Sequence, residues 1–273
     1  MKIPFMKMSG SGNDFILIDH RDPFLDENHM KEFIQKVCQR RISVGADGLI
    51  LIERSEKADF KWRFFNADGG EAEMCGNGGR CAARFAWLKG IAGSHLTFET
   101  LAGILSAEVD GKRVKLELTK PSGLKLDETL LVEGQEKIFS SINTGVPHAV
   151  LFSEDIERVD VVRIGRMIRY HHHFAPSGTN VDFFRVEDNS RLSIRTYERG
   201  VEDETLACGT GAVASALIAA LKGRVKSPVA VKTKGGEVLL VHFEIKGEEV
   251  EKVFLEGDVH VVYEAEMWEE AYQ

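Results

Sequence analysis

The sequence predicts an α+β fold of two similar domains, each a curled, mostly antiparallel sheet around a buried central helix. Three observations lead to this prediction. A motif of sixteen residues occurs twice, 133 residues apart; short strand-like segments fill most of both halves; and each copy of the motif contains an alanine-rich run long enough for one helix. We expect the active site to lie in the cleft between the two domains.

The repeated motif begins with a cysteine in both copies. Residues 75–90 read CGNGGRCAARFAWLKG and residues 208–223 read CGTGAVASALIAALKG, so that eight of the sixteen positions are identical. The same offset places Thr100 on Thr233 farther along the chain. These matches indicate an internal duplication in which each half provides one equivalent thiol.

The duplication also predicts where the domains meet. Lys120-Pro121 is the expected linker, and a final strand near residues 259–263 is expected to return to the first domain. The predicted domains are residues 1–119 with 262–273, which carry Cys75, and residues 120–261, which carry Cys208.

Strands are predicted from short β-branched or aromatic segments separated by turn signals such as Asp110-Gly111. In the first half they are residues 14–19, 49–53, 61–66 and 114–118, and in the second half residues 191–197, 229–233 and 238–243. Apolar residues at helical spacing predict a helix over residues 30–38 and a matching one over residues 161–168. Cys38 falls on the apolar face of the first, so we interpret it as a core residue.

Both motif cysteines are predicted to lie at helix N-termini, because a Gly-x-Gly turn follows each one and a Lys-Gly pair ends each run. Unpaired backbone N–H groups and the helix dipole stabilise a thiolate there, so we expect both thiol pKa values to fall below about 8.5. The same N–H groups can hold a carboxylate. The run Ala212–Leu221 is apolar except for Ser215, which predicts a helix buried on all sides.

Composition limits the partners. The chain has 273 residues, of which 43% are hydrophobic and 29% are charged, and its net charge is −8 without a cluster of Lys and Arg. Neither a nucleic acid nor a membrane is therefore expected as a partner, and a small molecule is. No apolar run approaches the roughly 20 residues that span a bilayer. Four cysteines in so long a chain do not indicate a disulfide framework, and they suit the cytoplasm.

Two equivalent thiols that face one substrate suggest acid–base chemistry at a stereocentre. A carbon held between them has a base on one face and an acid on the other, so one thiolate removes a proton and the other thiol delivers one with inversion. A carboxylate next to that carbon would be held by both helix N-termini as negative charge develops. This chemistry requires neither pyridoxal phosphate nor another cofactor.

The chain resembles the diaminopimelate epimerase family over essentially its whole length. The family interconverts LL- and meso-2,6-diaminopimelate without a cofactor, on the route to lysine and peptidoglycan. The motifs that carry the resemblance are Gly10–Phe15, Phe65–Gly69, Glu73–Gly78, Thr144–His148, Gly178–Asp182, and Glu198–Gly200 leading to Ala207–Ala212.

The resemblance implies an acid–base pair, Cys75 and Cys208, with His148 and Glu198 close enough to tune the thiols. It also implies a homodimer and no metal. Glu198 either accepts a hydrogen bond from the reacting ammonium or receives a proton as a thiolate forms, and the sequence leaves both roles open. The implied substrate-binding residues are Asn13, Asn66, Gly76, Asn77, Asn180, Glu198, Arg199, Gly209 and Thr210, where the two glycines, Asn77 and Thr210 act through their backbone.

Other interpretations fit these residues less well. A proline or hydroxyproline racemase would share the paired Cys-Gly motifs, but its substrate has no distal charged end for Arg199 to bind. A thiol redox or metal-binding protein would need closely spaced cysteine pairs, and a binding module gives no reason for two matched thiols. His171–His173 are consecutive and have no acidic or thiol partner nearby, so they are not interpreted as a metal site.

Two positions depart from the family pattern. Val146 stands where many members have asparagine, and Gly48 stands where some carry glutamine. Both changes affect the expected contacts to the distal end of the substrate rather than the chemistry. Glu198-Arg199 could also be a solvated surface pair, and Asn13 or Asn180 could serve local turns.

Overall fold

The computed structural model describes residues 2–273, and the described residues form seventeen strands and four α-helices. The strands are β1 (Ile3–Gly10), β2 (Asn13–Asp19), β3 (Gly48–Glu53), β4 (Phe60–Asn66), β5 (Glu71–Ala72), β6 (His95–Thr100), β7 (Gly103–Asp110), β8 (Arg113–Glu117), β9 (Ser122–Val132), β10 (Gln135–Asn143), β11 (Pro147–Phe152), β12 (Asn180–Asp188), β13 (Arg191–Glu198), β14 (Asp203–Thr205), β15 (Val229–Lys232), β16 (Val238–Lys246) and β17 (Glu249–Met267). The helices are α1 (Met30–Val37), α2 (Gly76–Leu88), α3 (Val161–Arg169) and α4 (Gly209–Leu221).

The chain forms two compact units. The first contains the residues up to Glu117 together with Gly257–Gln273, and the second contains Leu118–Glu256. The long strand β17 contributes its first residues to the second unit and its remainder to the first.

The first unit is a curled sheet in which most strands pair with the next strand along the chain. β1 pairs with β2 antiparallel, β2 with β3 parallel, and β3 with β4 antiparallel. β4 then pairs with β5 antiparallel and with β6 parallel, and β6, β7 and β8 continue antiparallel. The end of β17 pairs with β1 and also meets β8, which closes the sheet on itself. α2 packs against β1, β2, β3, β7 and β8, inside this curl.

The second unit repeats the same pairings in the same order. β10, β11, β12 and β13 pair antiparallel, parallel and antiparallel, and β13 then pairs with β14 antiparallel and with β15 parallel. β15, β16 and the first part of β17 continue antiparallel, and β9 flanks β10 as the end of β17 flanks β1. α4 packs against β10–β13, β15 and β16. The predicted fold class, two similar halves with a mostly antiparallel sheet around a helix, is confirmed.

The cysteine motifs begin the two central helices, as predicted. Cys75 is the N-cap of α2 and Cys208 the N-cap of α4. Gly90 and Gly223 follow the helix ends with φ of 66° and 69°, a left-handed conformation that favours glycine. α4 is buried on every side from the third helical residue to Ala219, because small residues let the strands approach it all round.

The two shorter helices are amphipathic and cover the outside of the sheets. α1 buries Met30, Phe33, Ile34 and Val37, and these residues share a core cluster with Cys38. Burial raises the pKa of Cys38 to about 12. α3 buries Val161 and Ile168 in a separate cluster of the second unit. The interpretation of Cys38 as a core residue is therefore confirmed.

We expect Leu217→Ala to lower the free energy of unfolding by about 2–5 kcal/mol, because Leu217 is fully buried in the α4 core and truncation leaves a cavity. The matched control is Leu131→Ala on β9, whose side chain is 64% exposed. Its effect is expected to stay within about 0.5 kcal/mol. Urea unfolding of both variants measures the difference, and equal losses would show that α4 does not organise the core.

Candidate active site

The Cys208 thiol lies at the buried start of α4. Its Sγ accepts a hydrogen bond from the backbone N–H of Gly211 at 3.4 Å, and it lies 3.4 Å from the hydroxyl oxygen of Thr210. The sulfur therefore satisfies one of the N–H groups that every helix leaves unpaired in its first turn. The side chain of Cys208 is 5% exposed, and Gly209 and Thr210 are half-buried.

The expected fall in thiol pKa is wrong for Cys208. Burial raises the pKa of this thiol well above its ordinary value, and the negative charges of Glu198 and Asp182 raise it further. The hydrogen bonds from Thr210 and from the Gly211 N–H act in the opposite direction but are outweighed. Cys208 consequently rests as a protonated thiol at neutral pH.

The Cys75 thiol begins α2 in the same way, with its Sγ accepting from the N–H of Gly78 at 3.4 Å. Cys75 and Gly76 are half-buried, and Asn77 is buried. Cys81 follows on the same helix and is fully buried, which raises its pKa to about 12. Cys75 is therefore partly exposed, whereas Cys81 on the same helix is not.

The side chain of Asn13 is held in a chain of hydrogen bonds that begins at α2. Asn77 Nδ2 donates to Asn13 Oδ1 at 2.7 Å, and Asn13 Nδ2 donates to Asp47 Oδ2 at 3.0 Å. Arg40 then bridges Asp47 and Asp14, at 2.7 Å and 2.5 Å. Because the Asn13 amide has a partner on both sides, its orientation is fixed.

The sheet leaves no room for a side chain at Gly48. A Cβ there would lie 2.5 Å from the carbonyl oxygen of Phe65 and 2.6 Å from the ring of Phe64. Gly48 pairs with Asn66 across β3 and β4, and Asn66 itself is exposed at the end of its strand. The Asn66 backbone N–H donates to the carbonyl oxygen of Gly70 within the same turn.

The second unit places a buried polar cluster beneath α4. His148 Nδ1 lies 2.6 Å from Asp182 Oδ2, and Thr196 donates to Asp182 Oδ1 at 2.7 Å. Asn180 Nδ2 lies 3.5 Å from the other ring nitrogen of His148. All four residues are less than 5% exposed. The parallel pairing of His148 with Asn180 and the antiparallel pairing of Asp182 with Thr196 bring them together.

Glu198 and Arg199 lie at the end of β13, beside this cluster. Burial raises the pKa of Glu198, as does the charge of Asp182, while a hydrogen bond from Thr205 and the charge of His148 lower it. The backbone N–H of Arg199 donates to Asn180 Oδ1 at 2.7 Å, and its Nη1 donates to the carbonyl of Ser177 at 3.0 Å. The Arg199 backbone is thus tied to Asn180, and its half-buried side chain contacts the backbone of Ser177.

The predicted residues consequently form two groups. Cys75, Gly76, Asn77 and Asn13 lie together in the first unit, whereas His148, Asn180, Glu198, Arg199, Cys208, Gly209 and Thr210 lie together in the second. Sequence reasoning missed Asp182, which ends a motif already singled out and is two residues from Asn180 on the same strand face. It also missed Asp47 and Arg40, which orient Asn13.

The chemical capacity of each group follows from its donors. At each helix start a thiol lies beside backbone N–H groups that favour an anion. Among residues 2–273, no cluster of three or more His, Cys, Asp or Glu side chains could hold a metal ion. Within the same range, no helix is both long and apolar enough to cross a membrane.

The fold is shared with a class of solved structures. A phenazine biosynthesis protein of the PhzF family from Bacillus anthracis aligns over 98% of this chain and 99% of its own, with a TM-score of 0.74 and 18% identity. A hydroxyproline epimerase from Agrobacterium vitis aligns over 97% of this chain and 92% of its own, with a TM-score of 0.71 and 14% identity. The chain therefore has the duplicated fold of these proteins.

Sequence similarity then gives the family. The profile described as Diaminopimelate epimerase matches residues 5–123 and 140–262. A diaminopimelate epimerase of Aquifex aeolicus is 51% identical, covering 98% of this chain and 99% of its own length. A diaminopimelate epimerase of Archaeoglobus fulgidus is 44% identical, covering 86% of this chain and 88% of its own length. The chain belongs to the diaminopimelate epimerase family, whose members are isomerases.

We expect iodoacetamide at about pH 8 to label Cys75 before Cys208, because Cys75 is half-buried while Cys208 is buried and its pKa is raised. Cys38 and Cys81 are expected to remain unlabelled in the folded protein, since burial raises the pKa of each to about 12. Peptide mass mapping over time measures the order. In denaturant all four should react at similar rates, and faster labelling of Cys208 than of Cys75 in the folded protein would contradict the assignment.

Proposed function

We propose that this protein interconverts LL- and meso-2,6-diaminopimelate without pyridoxal phosphate, in the biosynthesis of lysine and peptidoglycan precursors. The observation that carries the proposal is the matched pair of cysteines, each capping the central helix of one unit with its sulfur on a backbone N–H. Family membership supplies the substrate, since relatives up to 51% identical are named for it.

In the proposed mechanism Cys75 and Cys208 are the acid–base pair. One thiolate removes the α-proton, and the other thiol delivers a proton to the opposite face of the α-carbon, so the stereocentre inverts and the number of protons is conserved. The α-carboxylate is bound by the backbone N–H groups of Gly76 and Asn77 and of Gly209 and Thr210, as the first turns of α2 and α4 favour an anion.

His148 and Glu198 support the proton transfers. Glu198 is half-buried and its charge acts on Cys208, and its raised pKa brings it nearer to neutrality, which suits a group that takes up and returns a proton. The alternative role of Glu198, accepting a hydrogen bond from the substrate ammonium, is compatible with the same position. His148 is held by Asp182 and faces Asn180.

The distal end of diaminopimelate carries a second ammonium and a second carboxylate. We propose that Arg199, Asn180 and Asn66 bind this end, because a guanidinium pairs with a carboxylate and amides serve both groups. The bond between the Arg199 backbone and Asn180 holds two of these residues in one place. Asn13 is proposed to bind substrate through the remaining capacity of its oriented amide.

The proposal also includes two domains, a homodimer and a cytoplasmic location. The homodimer rests on the family resemblance alone. The location is supported by the cysteine content and by the biosynthetic role of the family.

The decisive experiment is incubation with LL-diaminopimelate in heavy water under reducing conditions. We expect conversion to the meso isomer with deuterium incorporated at the inverted α-carbon, since the proton delivered comes from a thiol that exchanges with solvent. No conversion would contradict the proposed function, and conversion without deuterium would contradict the two-thiol mechanism.

We expect Cys75→Ser and Cys208→Ser each to lower kcat at least about 100-fold, because a hydroxyl is a far poorer base than a thiolate at the same position. Cys38→Ala and Cys81→Ala are the controls, and they are expected to keep the wild-type rate per folded molecule. A Cys75→Ser or Cys208→Ser protein with full activity would exclude the two-base mechanism.

Arg199→Met tests whether Arg199 binds the distal carboxylate of the substrate. Loss of the guanidinium leaves the distal carboxylate without its cation, which costs about 2–5 kcal/mol of binding. We expect kcat to fall as well, because distal binding energy also positions the reacting carbon. Arg191→Met is the matched control, since Arg191 lies exposed at the start of the same strand and pairs with Asp188.

The same kinetics separate diaminopimelate from other amino-acid substrates. Proline and lysine are assayed beside it with the wild-type protein and with Arg199→Met. If wild type turned over proline or lysine equally well and Arg199→Met changed nothing, the substrate assignment would be wrong and a proline-type racemase would replace it.

A further inference from the structure

The layer beneath the cysteine-capped helix differs between the two units at equivalent positions. In the first unit Ile50 pairs with Phe64 across β3 and β4, and in the second Asp182 pairs with Thr196 across β12 and β13. The third helical residue confirms the equivalence. A Cβ at Gly78 would meet Ile50, and a Cβ at Gly211 would collide with the carboxylate of Asp182.

The first unit fills this layer with apolar side chains. Ile50, Phe64 and Phe15 are each at most 4% exposed, and the two rings pack edge to face with centroids 5.8 Å apart. Phe15 occupies on β2 the place that His148 occupies on β11, since both pair in parallel with the first residue of the next strand. An apolar layer is therefore sufficient for this fold.

The second unit instead buries an acid, an imidazole and a hydroxyl. Asp182 is fully buried, and burying a carboxylate is unfavourable unless it is hydrogen-bonded and paired. Because the first unit packs the equivalent layer with apolar side chains, packing alone does not require these polar groups.

The hydrogen bonds define the protonation of His148. An ionised carboxylate can only accept hydrogen bonds. The His148 ring nitrogen that lies 2.6 Å from Asp182 Oδ2 is Nδ1, so Nδ1 must carry the proton. The other carboxylate oxygen accepts from Thr196 at 2.7 Å, which prevents the acid from rotating away. The Nε2 atom then faces Asn180, whose Oδ1 holds the backbone of Arg199.

We propose that Asp182 is a positioning residue for the epimerisation, which keeps the proton of His148 on Nδ1 and thereby leaves Nε2 as the nitrogen that exchanges protons at the site. The inference rests on the proposed function, because it assigns a task to His148 within it. Its physical basis is that a fixed carboxylate selects one imidazole tautomer and one ring orientation.

The charge of Asp182 also acts on the neighbouring strand and helix. It raises the pKa of Glu198 on β13 and of Cys208 at the start of α4, and it is opposed at Glu198 by His148. These are the titratable groups that face Asp182 from the elements around it, and Thr196, Thr205 and Thr210 contribute hydroxyls. One buried carboxylate is thus linked to all three proposed acid–base groups of the second unit.

Asp182→Asn is the test, because it preserves the volume of the side chain while removing the charge. The amide can turn its NH₂ toward His148, which then places the lone pair on Nδ1 and the proton on Nε2. Nitrogen-15 NMR of histidine-labelled protein measures the tautomer, with His148 identified by the loss of its signals in His148→Gln. We expect the Nδ1–H form in wild type, the Nε2–H form in Asp182→Asn, and a fall in kcat of at least about tenfold.

The matched control is Asp188→Asn at the far end of β12, where the carboxylate accepts hydrogen bonds from Ser190 and Arg191 at the surface. It is expected to keep both the wild-type kcat and the wild-type His148 signals. Wild-type protein with the proton on Nε2 would overturn the proposal even if Asp182→Asn failed to fold.

The remaining outcomes are equally decisive. A fall in kcat with unchanged His148 signals would make Asp182 merely structural, and an unchanged kcat in Asp182→Asn would remove its role in the reaction; either result overturns the proposal. If wild type did not epimerise diaminopimelate, the proposed function would fail, and the NMR comparison would still report the His148 tautomer separately.

Discussion

The structure of each unit depends on a cysteine sulfur that accepts a backbone N–H at the start of a buried helix. A helix enclosed by a curled sheet cannot satisfy its first N–H groups with bulk water, so its own N-cap must provide an acceptor. Cys75 and Cys208 do so through the N–H three residues on, at 3.4 Å in both cases. The two intervening residues belong to the same first turn, where a helix favours an anion. One residue therefore combines a helix cap with the thiol that the proposed mechanism uses.

Helix N-termini and burial act on the thiol in opposite directions. The dipole and the N–H bond stabilise a thiolate, while removal of water destabilises it, and at Cys208 burial is the larger effect. The nearby carboxylates of Asp182 and Glu198 add to the burial effect rather than offsetting it. The protonated form that results is an acid at neutral pH, which suits the proton delivery proposed for this thiol.

The sequence predicted the fold because its strongest signals are local or repeated. The cysteine motifs located α2 and α4, and apolar spacing located α1 and α3. All eight predicted strands, including the final one near residues 259–263, coincide with observed ones. The hairpin of β9 and β10 is among the elements that were not predicted, since β9 is largely exposed.

Other features depend on strand register and could not be predicted from local sequence. The pKa of Cys208 was misjudged chiefly because the folded chain buries the thiol, and further because Glu198 and Asp182 reach it from strands 10 and 26 residues earlier in the chain. Asp182 itself was overlooked for the same reason. The missing side chain at Gly48 is explained only by the ring of Phe64 and the carbonyl of Phe65, which occupy its space.

The duplication has diverged where the chemistry would need it to. At the offset that relates the motifs, Asn13 corresponds to Val146, and only Asn13 has an oriented amide. An apolar layer lies beneath α2 and a charged layer lies beneath α4, so the electrostatic surroundings of the two thiols differ although the fold is the same.

In the proposed mechanism the charges near Cys208 favour the free enzyme in which that thiol holds the proton. That form is ready for the direction in which Cys75 removes the α-proton. The opposite direction first requires Cys208 to lose its proton, and the proposed acceptor is Glu198, the carboxylate whose charge acts most strongly on this thiol. The two units thus have the same fold but surround their thiols with different charges. This difference suits the proposed mechanism, in which one thiol starts as the base on one face of the α-carbon while the other starts as the acid on the opposite face.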